Sequence, residues 1–253
     1  AYTKYEHAIN TANKEKAIFW QEQLNKISAS NESIKIQIAQ FNAIVGDIRI
    51  NTQKILNLVI EAADSGAHLI VFPEMALTGY PPEDLLFRDG FMTQVEEQID
   101  FLCDSIPSSI SVLFGAPSRN DDSLFNSAYC IQNNRISHVY HKQELPNYGV
   151  FDEKRYFSSG NQSYVFECQK TKIGVLICED QWIDGPISKL TQLDVDIVIS
   201  LNASPFQVEK HKDRLNICKN YASEFEVSYI YVNMVGGQDE VVFDGNSFVL
   251  DSK

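Results

Sequence analysis

Three residues that can do acid–base or nucleophilic chemistry each stand just after a short apolar run. Glu74, Lys142 and Cys178 occur in that order along the chain, and the run before each has the length of a buried strand. The runs cover residues 68–72, 136–141 and 172–177. Loops at strand ends are where a rigid sheet usually carries its functional residues. Each residue alone is more often an ordinary loop residue or a core thiol, so the prediction of a site depends on the combination.

A carboxylate, an ammonium and a thiol together suit covalent acyl transfer. A thiol with a pKa of about 8.5 is only a few per cent ionised near neutral pH, so a carboxylate such as Glu74 is needed to take its proton. The same carboxylate can later activate the water that removes the acyl group. The Lys142 ammonium can stabilise both the thiolate and a tetrahedral oxyanion. The backbone N–H of Glu179 is a second oxyanion donor if Cys178 lies on a tight turn.

Alternating strands and helices from residue 34 onward would position these side chains. Residues 34–41 alternate apolar and polar and predict a strand. A helix follows, with Asn51 as its N-cap, Ile55 and Val59 on its buried stripe and Gly66 at its end. Further strands are predicted at 68–72, 110–114, 125–132, 136–141, 163–167, 172–177, 196–201 and 228–232, and a further helix at 207–226. Some neighbouring strands leave no room for a crossover helix, so the pattern predicts an α/β domain with mixed sheets.

The first part of the chain has a different pattern. Residues 1–27 keep an apolar stripe with a 3.6-residue period and predict one helix, and residues 28–33 are small and polar, as in a linker. We therefore expect residues 1–33 to lie outside the core and one domain to cover 34–253. The chain does not begin with Met, which is typical of a processed or artificial end. The helix could be an arm, a purification or fusion segment, or a docking element.

Composition narrows the class of partner. The chain has 34 acidic and 21 basic residues, a formal net charge of −13, which disfavours binding to nucleic acid or to an anionic membrane. It contains no apolar run long enough for a transmembrane helix, and no signal-peptide pattern precedes the domain. We expect a cytoplasmic protein.

The cysteines and histidines do not predict a metal site. The five cysteines are odd in number and include no C-x-x-C pair, so neither a zinc site nor a disulfide framework is indicated. At least four of them are typical of buried free thiols in a reducing compartment. His138 and His141 lie on a predicted strand, and no carboxylate cluster completes a metal site there.

From about residue 34 to 251 the chain resembles the nitrilase superfamily of carbon–nitrogen hydrolases. The resemblance is carried by Val-Phe-Pro-Glu-Met around Glu74, His-Lys-Gln-Glu-Leu-Pro around Lys142, and Ile-Cys-Glu-Asp around Cys178. It implies a Glu-Lys-Cys triad at these positions on a four-layer α-β-β-α sandwich with two mixed β-sheets. Many members add a second glutamate after the lysine, and Glu153 in Phe-Asp-Glu is the matching position.

Four further segments resemble one branch, the glutaminase domains of glutamine-dependent NAD synthetases. They cover residues 77–86, 145–153, 201–206 and 235–240 with 243–245, in the same order as in that branch. The resemblance implies that the substrate is glutamine, whose α-carboxylate and α-ammonium need both donors and acceptors in the pocket. Tyr148, Glu179 and Ser204 lie on the matching segments and could supply them, with Trp182 as an apolar wall.

The same resemblance implies partners. Ammonia from glutamine would pass to a synthetase domain that binds ATP and magnesium and amidates nicotinate-adenine dinucleotide, whereas the present domain would need no cofactor. We expect that synthetase domain to be absent, because the sequence stops at Lys253, where the last glutaminase elements are expected to be incomplete. Family members commonly assemble through the sandwich, so a homo-oligomer is implied.

Two alternatives to a glutaminase remain open on the sequence. One is a free-standing nitrilase-type amidase acting on another small amide; the segments at 80–82 and 145–153 favour the glutaminase over it. The other is a catalytically idle assembly module that has kept the fold. An intact triad argues against the idle module, and labelling of Cys178 by a glutamine-like electrophile would separate the two.

Overall fold

Apolar residues at alternate positions build two mixed β-sheets. In this computed structural model, which describes residues 20–24, 33–120 and 123–252, the larger sheet has six strands. They are, in spatial order, β1 (Trp20–Leu24), β2 (Ile34–Ile38), β3 (Leu69–Val71), β4 (Ser111–Asn120), β5 (Ser123–Gln132) and β6 (Arg135–His141). The pairs β2–β3 and β3–β4 are parallel and the other pairs are antiparallel.

The second sheet supplies the edge at which the cysteine lies. The later strands are β7 (Tyr164–Cys168), β8 (Thr171–Ile177), β9 (Ile197–Asn202), β10 (Ser228–Asn233), β11 (Val235–Gln238), β12 (Val241–Asp244) and β13 (Phe248–Leu250). The sheet has the order β13-β10-β9-β8-β7, while β11 and β12 form a separate hairpin. Because β8, β9 and β10 are parallel, their C-terminal ends meet at one edge, where loops gather to form a site.

Helices cover the outer faces of both sheets. Alternate residues of β8, among them Val175 and Ile177, pack against the larger sheet, whereas Leu176 faces outward. The helices α1 (Ile48–Asp64) and α2 (Asp89–Ser105) cover the larger sheet. The helices α3 (Asp184–Thr191) and α4 (Lys210–Glu224) cover the second sheet. The predicted α-β-β-α sandwich with two mixed sheets is therefore confirmed. No helix in the described ranges is both long and apolar enough to span a bilayer.

Part of the predicted N-terminal helix is wrong. Residues Trp20–Leu24 form β1, which pairs antiparallel with β2 in the register Trp20 to Ile38. Without β1, the outer edge of β2 would present unpaired N–H and C=O groups, and this tertiary pairing outweighs the helical periodicity. The rest of the helix predicted over 1–27, and nearly all of the linker at 28–33, lie outside the described residues.

Two details of the predicted helices also differ. The N-cap of α1 is Asp47, whose Oδ1 accepts from the Ile50 N–H at 3.2 Å. Asn51 instead lies buried inside the helix, where its amide donates to the carbonyls of Ile44 and Leu77 at 2.8 and 3.1 Å. Asn51 therefore anchors the loop after β3. The helices α2 and α3 were not predicted from the sequence, although the buried residues of α2 recur at helical spacing.

Candidate active site

Glu74 lies in the loop after β3 and both of its carboxylate oxygens are held. Oε1 accepts from Lys142 Nζ at 2.8 Å and from Asn126 Nδ2 at 2.7 Å, and Oε2 accepts from the Ala203 N–H at 2.8 Å. The residue is 1% exposed. Gly115 of β4 makes this placement possible, because a Cβ there would stand 2.6 Å from the Glu74 Cα. Any larger residue at 115 would push the carboxylate out of place.

Lys142 follows β6 and lies between two carboxylates. Its Nζ is 2.8 Å from Glu74 Oε1 and 2.9 Å from Glu153 Oε1, and its side chain is fully buried. Burial alone would lower the pKa of the lysine, but the carboxylates of Glu153 and Glu74 raise it well above its ordinary value. Lys142 is therefore a permanent cation at neutral pH, and its ammonium can donate to an oxyanion.

Glu153 begins a short 3₁₀ turn, Glu153–Arg155, and completes the charged cluster. Its Oε1 also accepts from the Tyr80 hydroxyl at 2.8 Å. Burial raises the pKa of Glu153 to about 7, Lys142 opposes that rise and Glu74 adds to it. Among the described residues, Oε2 of Glu153 has no hydrogen-bond partner. A carboxyl with a pKa near neutrality can both give and take a proton during a reaction.

Cys178 directly follows β8 and is the first residue of the 3₁₀ turn Cys178–Gln181. Its φ of +43° lies in the left-handed region, which costs a non-glycine residue energy and is frequent at functional sites. Burial, then the Glu74 carboxylate, raise the pKa of the thiol well above its ordinary value, although Lys142 opposes them. The sequence predicts that Lys142 stabilises a thiolate. In the structure, burial and the Glu74 carboxylate outweigh the lysine, so the resting sulfur is a neutral thiol.

The structure thus brings Glu74, Lys142 and Glu153 into direct contact, with Cys178 near enough for its pKa to depend on all three. Sequence reasoning missed the Asn126 side chain, which donates to Glu74 at 2.7 Å. An asparagine inside a strand has no pattern that would single it out. It also missed the Ala203 N–H, which donates to Glu74, and the Tyr80 hydroxyl, which donates to Glu153. Tyr80 lies on a motif segment, but a backbone donor cannot be read from residue type.

The residues predicted to bind substrate lie on loops around this cluster. The Tyr148 hydroxyl donates to both carboxylate oxygens of Glu179, each at 3.0 Å, and Tyr148 is 57% exposed. Trp182 is half-buried, and the Lys210 ammonium lies 4.1 Å from the centroid of its ring. Sequence reasoning missed Lys210. An acceptor and an aromatic wall are thereby placed after β8, and a cation is placed at the start of α4.

Ser204 occupies a different position from the other three. It is buried, and its hydroxyl accepts from Arg214 Nε at 3.2 Å. Arg214 is fully buried on α4 and donates from Nη2 to the carbonyls of Ser204 and Pro205, at 2.9 and 2.7 Å. From Nη1 it pairs with Asp244 at 2.8 Å. The arginine therefore fixes the loop that carries the Ala203 N–H.

A cavity of about 300 Å³ reaches Glu153. Its walls include Tyr80, Leu86, Val150 and Phe157, and Cys178 does not line it. The cavity therefore lies beside the charged cluster and does not reach the Cys178 sulfur. Within the part of the chain that the structure describes, no three His, Cys, Asp or Glu side chains are grouped as a metal site would require.

Comparison with known sequences identifies the relatives of this chain. The sequence profile of the carbon-nitrogen hydrolase family matches residues 35–253. The glutamine-dependent NAD(+) synthetase of Synechocystis sp. is 40% identical over 236 residues, which cover 86% of this chain and 42% of that protein. The enzyme of the same name from Thermotoga maritima is 38% identical over 224 residues, which cover 87% of this chain and 38% of that protein. The chain thus spans about two fifths of the length of these relatives.

Solved structures give the same relationship. The glutamine-dependent NAD+ synthetase of Acinetobacter baumannii, in complex with ADP, superimposes with a TM-score of 0.84 at 41% identity. The match covers 87% of this chain and 42% of that chain. A nitrilase-superfamily amidase from Nesterenkonia superimposes with a TM-score of 0.77 at 19% identity, covering 90% of this chain and 86% of that one. The second match shows the shared fold alone.

Proposed function

Because this chain belongs to the carbon-nitrogen hydrolase family, we propose that it hydrolyses the side-chain amide of glutamine through a thioester on Cys178. One observation carries the proposal: a buried Glu74–Lys142–Glu153 cluster stands beside a cysteine on a left-handed turn. The full length of the relatives includes more than this chain, so the proposal concerns the step that these residues can perform. That step needs a nucleophile, a base and an oxyanion donor, and each has a candidate here.

Acylation begins from the neutral thiol. Glu74 takes the Cys178 proton as the sulfur attacks the amide carbon, since a free thiolate is unfavourable in this buried site. The tetrahedral oxyanion accepts hydrogen bonds from Lys142 Nζ and from the backbone N–H of Glu179. That N–H lies in the first turn of a 3₁₀ helix and has no intrahelical acceptor. The proton then goes to the amide nitrogen, the C–N bond breaks, and ammonia leaves with the thioester in place.

Deacylation uses the same groups in reverse. A carboxylate of the cluster takes a proton from water, the hydroxide adds to the thioester carbon, and the sulfur leaves with a proton to restore the thiol. Glu74 is the base that we assign to both steps. Glu153, with its pKa raised to about 7, can hold the proton while the cluster passes from one step to the next.

The loops around the cluster supply the groups that glutamine needs. Glu179, held by Tyr148, is the acceptor for the α-ammonium, and the Lys210 ammonium is the donor for the α-carboxylate. Trp182 is the wall along the aliphatic part. The Ser204 hydroxyl accepts from Arg214, which favours a role in shaping the loop over a direct contact with substrate.

The ammonia would be used by a second domain. We propose that a synthetase domain, with ATP and magnesium bound there, amidates nicotinate-adenine dinucleotide with it. The names and greater length of the relatives support this proposal. We further propose a cytoplasmic homo-oligomer, and the five cysteines, all free thiols, are consistent with a reducing compartment.

Mass spectrometry after treatment with a glutamine-like electrophile tests the proposal. We expect a single adduct, on Cys178. Cys103 is the internal control, because it is 9% exposed and burial, with the carboxylates of Asp100 and Asp104, raises the pKa of its thiol. An excess of glutamine should slow the labelling. Equal labelling of both thiols would contradict a competent glutamine site and would favour an idle assembly module. Labelling that acetamide slows but glutamine does not would favour an amidase acting on another small amide.

A further inference from the structure

A second buried carboxylate, Asp180, lies two residues after the cysteine and accepts four hydrogen bonds. Its Oδ2 accepts from the Ile177 N–H at 2.9 Å and from the Tyr140 hydroxyl at 2.8 Å. Its Oδ1 accepts from the N–H groups of Gln143 and Glu144 at 2.9 and 2.8 Å. The side chain is fully buried. A buried carboxylate is unfavourable unless its oxygens are satisfied, and here each accepts two donors.

These four donors come from two separate parts of the site. Ile177 is the last residue of β8, in the second sheet, and immediately precedes Cys178. Gln143 and Glu144 immediately follow Lys142, and Tyr140 lies on β6, in the larger sheet. Asp180 thus joins the backbone beside the nucleophile to the backbone beside the cation, across the space between the sheets. The cluster described above does not include this link.

We propose that Asp180 is a positioning residue, which holds the Cys178 turn and the Lys142 loop at the separation that the reaction requires. The inference rests on the proposed glutaminase function. Cys178 has a left-handed φ, a conformation that persists only where the surroundings hold it. The hydrogen bond from the Ile177 N–H to Asp180 Oδ2 spans the Cys178 turn and stabilises it. The two hydrogen bonds from the N–H groups of Gln143 and Glu144 to Oδ1 hold the loop after Lys142 at a fixed distance from that turn.

A carboxylate suits this position better than an amide of the same shape. Each oxygen of Asp180 faces two donors, so an asparagine would turn its NH₂ group toward two donors on one side. The two hydrogen bonds on that side would then be lost, and the backbone that donates them would move away. A displacement of about 1 Å at a catalytic group can cost on the order of 10² in rate, without removing the fold or the pocket.

The test compares Asp180→Asn with Asp196→Asn in the same chain. Asp196 also accepts a backbone N–H, from Lys172 at 2.8 Å, but at the opposite ends of β8 and β9. For Asp180→Asn we expect kcat for glutamine to fall roughly 10²-fold, with KM changed by less than about threefold, because positioning rather than binding is lost. Asp196→Asn should retain the kcat and KM of the wild type.

Two further measurements separate positioning from stability. Titration of active sites with the glutamine-like electrophile gives the folded, competent fraction, and kcat per titrated site should still be low in Asp180→Asn. If kcat per titrated site equals that of the wild type, Asp180 only supports the fold and the inference is overturned. If Asp180→Asn does not fold, Tyr140→Phe removes one of the four donors, and a loss in kcat of roughly threefold or more at unchanged KM is expected. Unchanged kcat in Tyr140→Phe would overturn the inference in that case.

The proposed function and this inference fail in different ways. If the wild type and Asp196→Asn both lack glutaminase activity, the proposed function fails. The rate of iodoacetamide labelling at Cys178 relative to Cys103 then tests the link by itself, and Asp180→Asn should lower it about tenfold, because the thiol loses its placement beside the base. An unchanged ratio would overturn the positioning role.

Discussion

At the scale of single residues, the site is defined by how one cation is shared. Lys142 contacts Glu74 and Glu153 at 2.8 and 2.9 Å, and burial of all three strengthens those contacts. Burial and then the Glu74 carboxylate raise the pKa of the Cys178 thiol, and the Lys142 cation opposes that rise without reversing it. The cysteine is therefore poised for proton transfer to a base during attack, and does not rest as a thiolate.

Removing the cation should slow acylation more than it weakens substrate binding. Lys142→Ala deletes one of two oxyanion donors, and we expect the acylation rate to fall by on the order of 10²–10³. Single-turnover kinetics with glutamine measures this step, and Lys172→Ala, at an exposed pair with Asp194, is the matched control. An acylation rate in Lys142→Ala within a factor of a few of the wild type would remove Lys142 from the mechanism.

Glu153 should make stability depend on pH. Its folded-state pKa is about 7 against an ordinary value of 4.5, so the folded protein keeps a proton that the unfolded chain has already released between those values. The stability from this group is present below the lower value and is lost as pH rises through the upper one. Glu153→Gln should therefore gain stability relative to the wild type as pH rises from about 4.5 to about 8, measured by thermal unfolding.

The comparison of Glu153→Gln with the wild type cancels other titrating groups. Asp180, whose pKa burial raises to about 6, titrates in both proteins and drops out of the difference. A difference in unfolding free energy that stays constant across the range would show that folding does not raise the pKa of Glu153.

At the scale of elements, buried polar contacts hold each loop of the site to its neighbour. Asn51 of α1 holds the loop that follows Glu74, through the carbonyl of Leu77. Arg214 of α4 holds the loop that contains Ala203, whose N–H reaches Glu74 Oε2. The strands thus place the loops, and side chains from the helices fix their conformation. The catalytic carboxylate depends on both.

Removing the buried arginine should be costly. Arg214→Ala removes the cation that pairs with Asp244 and the hydrogen bonds that it donates to the carbonyls of Ser204 and Pro205, and we expect a loss of roughly 3–5 kcal/mol in the free energy of unfolding. Arg119→Ala is the control, because that side chain is 33% exposed and its pair with Glu96 should contribute about 1 kcal/mol or less. Denaturant unfolding measures both values. Similar losses in the two variants would show that the buried pair adds nothing specific.

At the scale of the whole molecule, the sandwich follows from patterns visible in the sequence, and its exceptions have physical causes. Alternation of apolar and polar residues predicted β2 in the larger sheet, and a continuous apolar run predicted β8 in the second sheet. Residues Trp20–Leu24 were predicted as helix but pair with an open sheet edge, which local periodicity does not report. Asn51 was predicted as a cap because asparagine prefers that position, yet its amide serves a distant loop.

The candidate site was only partly predictable, for a similar reason. Glu74, Lys142 and Cys178 follow strands within specific motifs, so the sequence indicated them. Asn126 lies mid-strand, and a backbone donor such as the Ala203 N–H has no residue type to reveal it. Raised pKa values depend on burial and on charges brought together from distant parts of the chain. Only the folded structure supplies those.

The central claim is that Cys178 carries the acyl group of glutamine. The most direct measurement mixes the protein with glutamine for a single turnover, stops the reaction with acid and locates any γ-glutamyl group by peptide mass spectrometry. We predict that the group appears on Cys178 before glutamate accumulates. Cys178→Ser should show no such group and no ammonia release, because an alkoxide is far harder to form than a thiolate with the same base. Release of ammonia by Cys178→Ser at the wild-type rate, or an acyl group on another residue, would contradict the account.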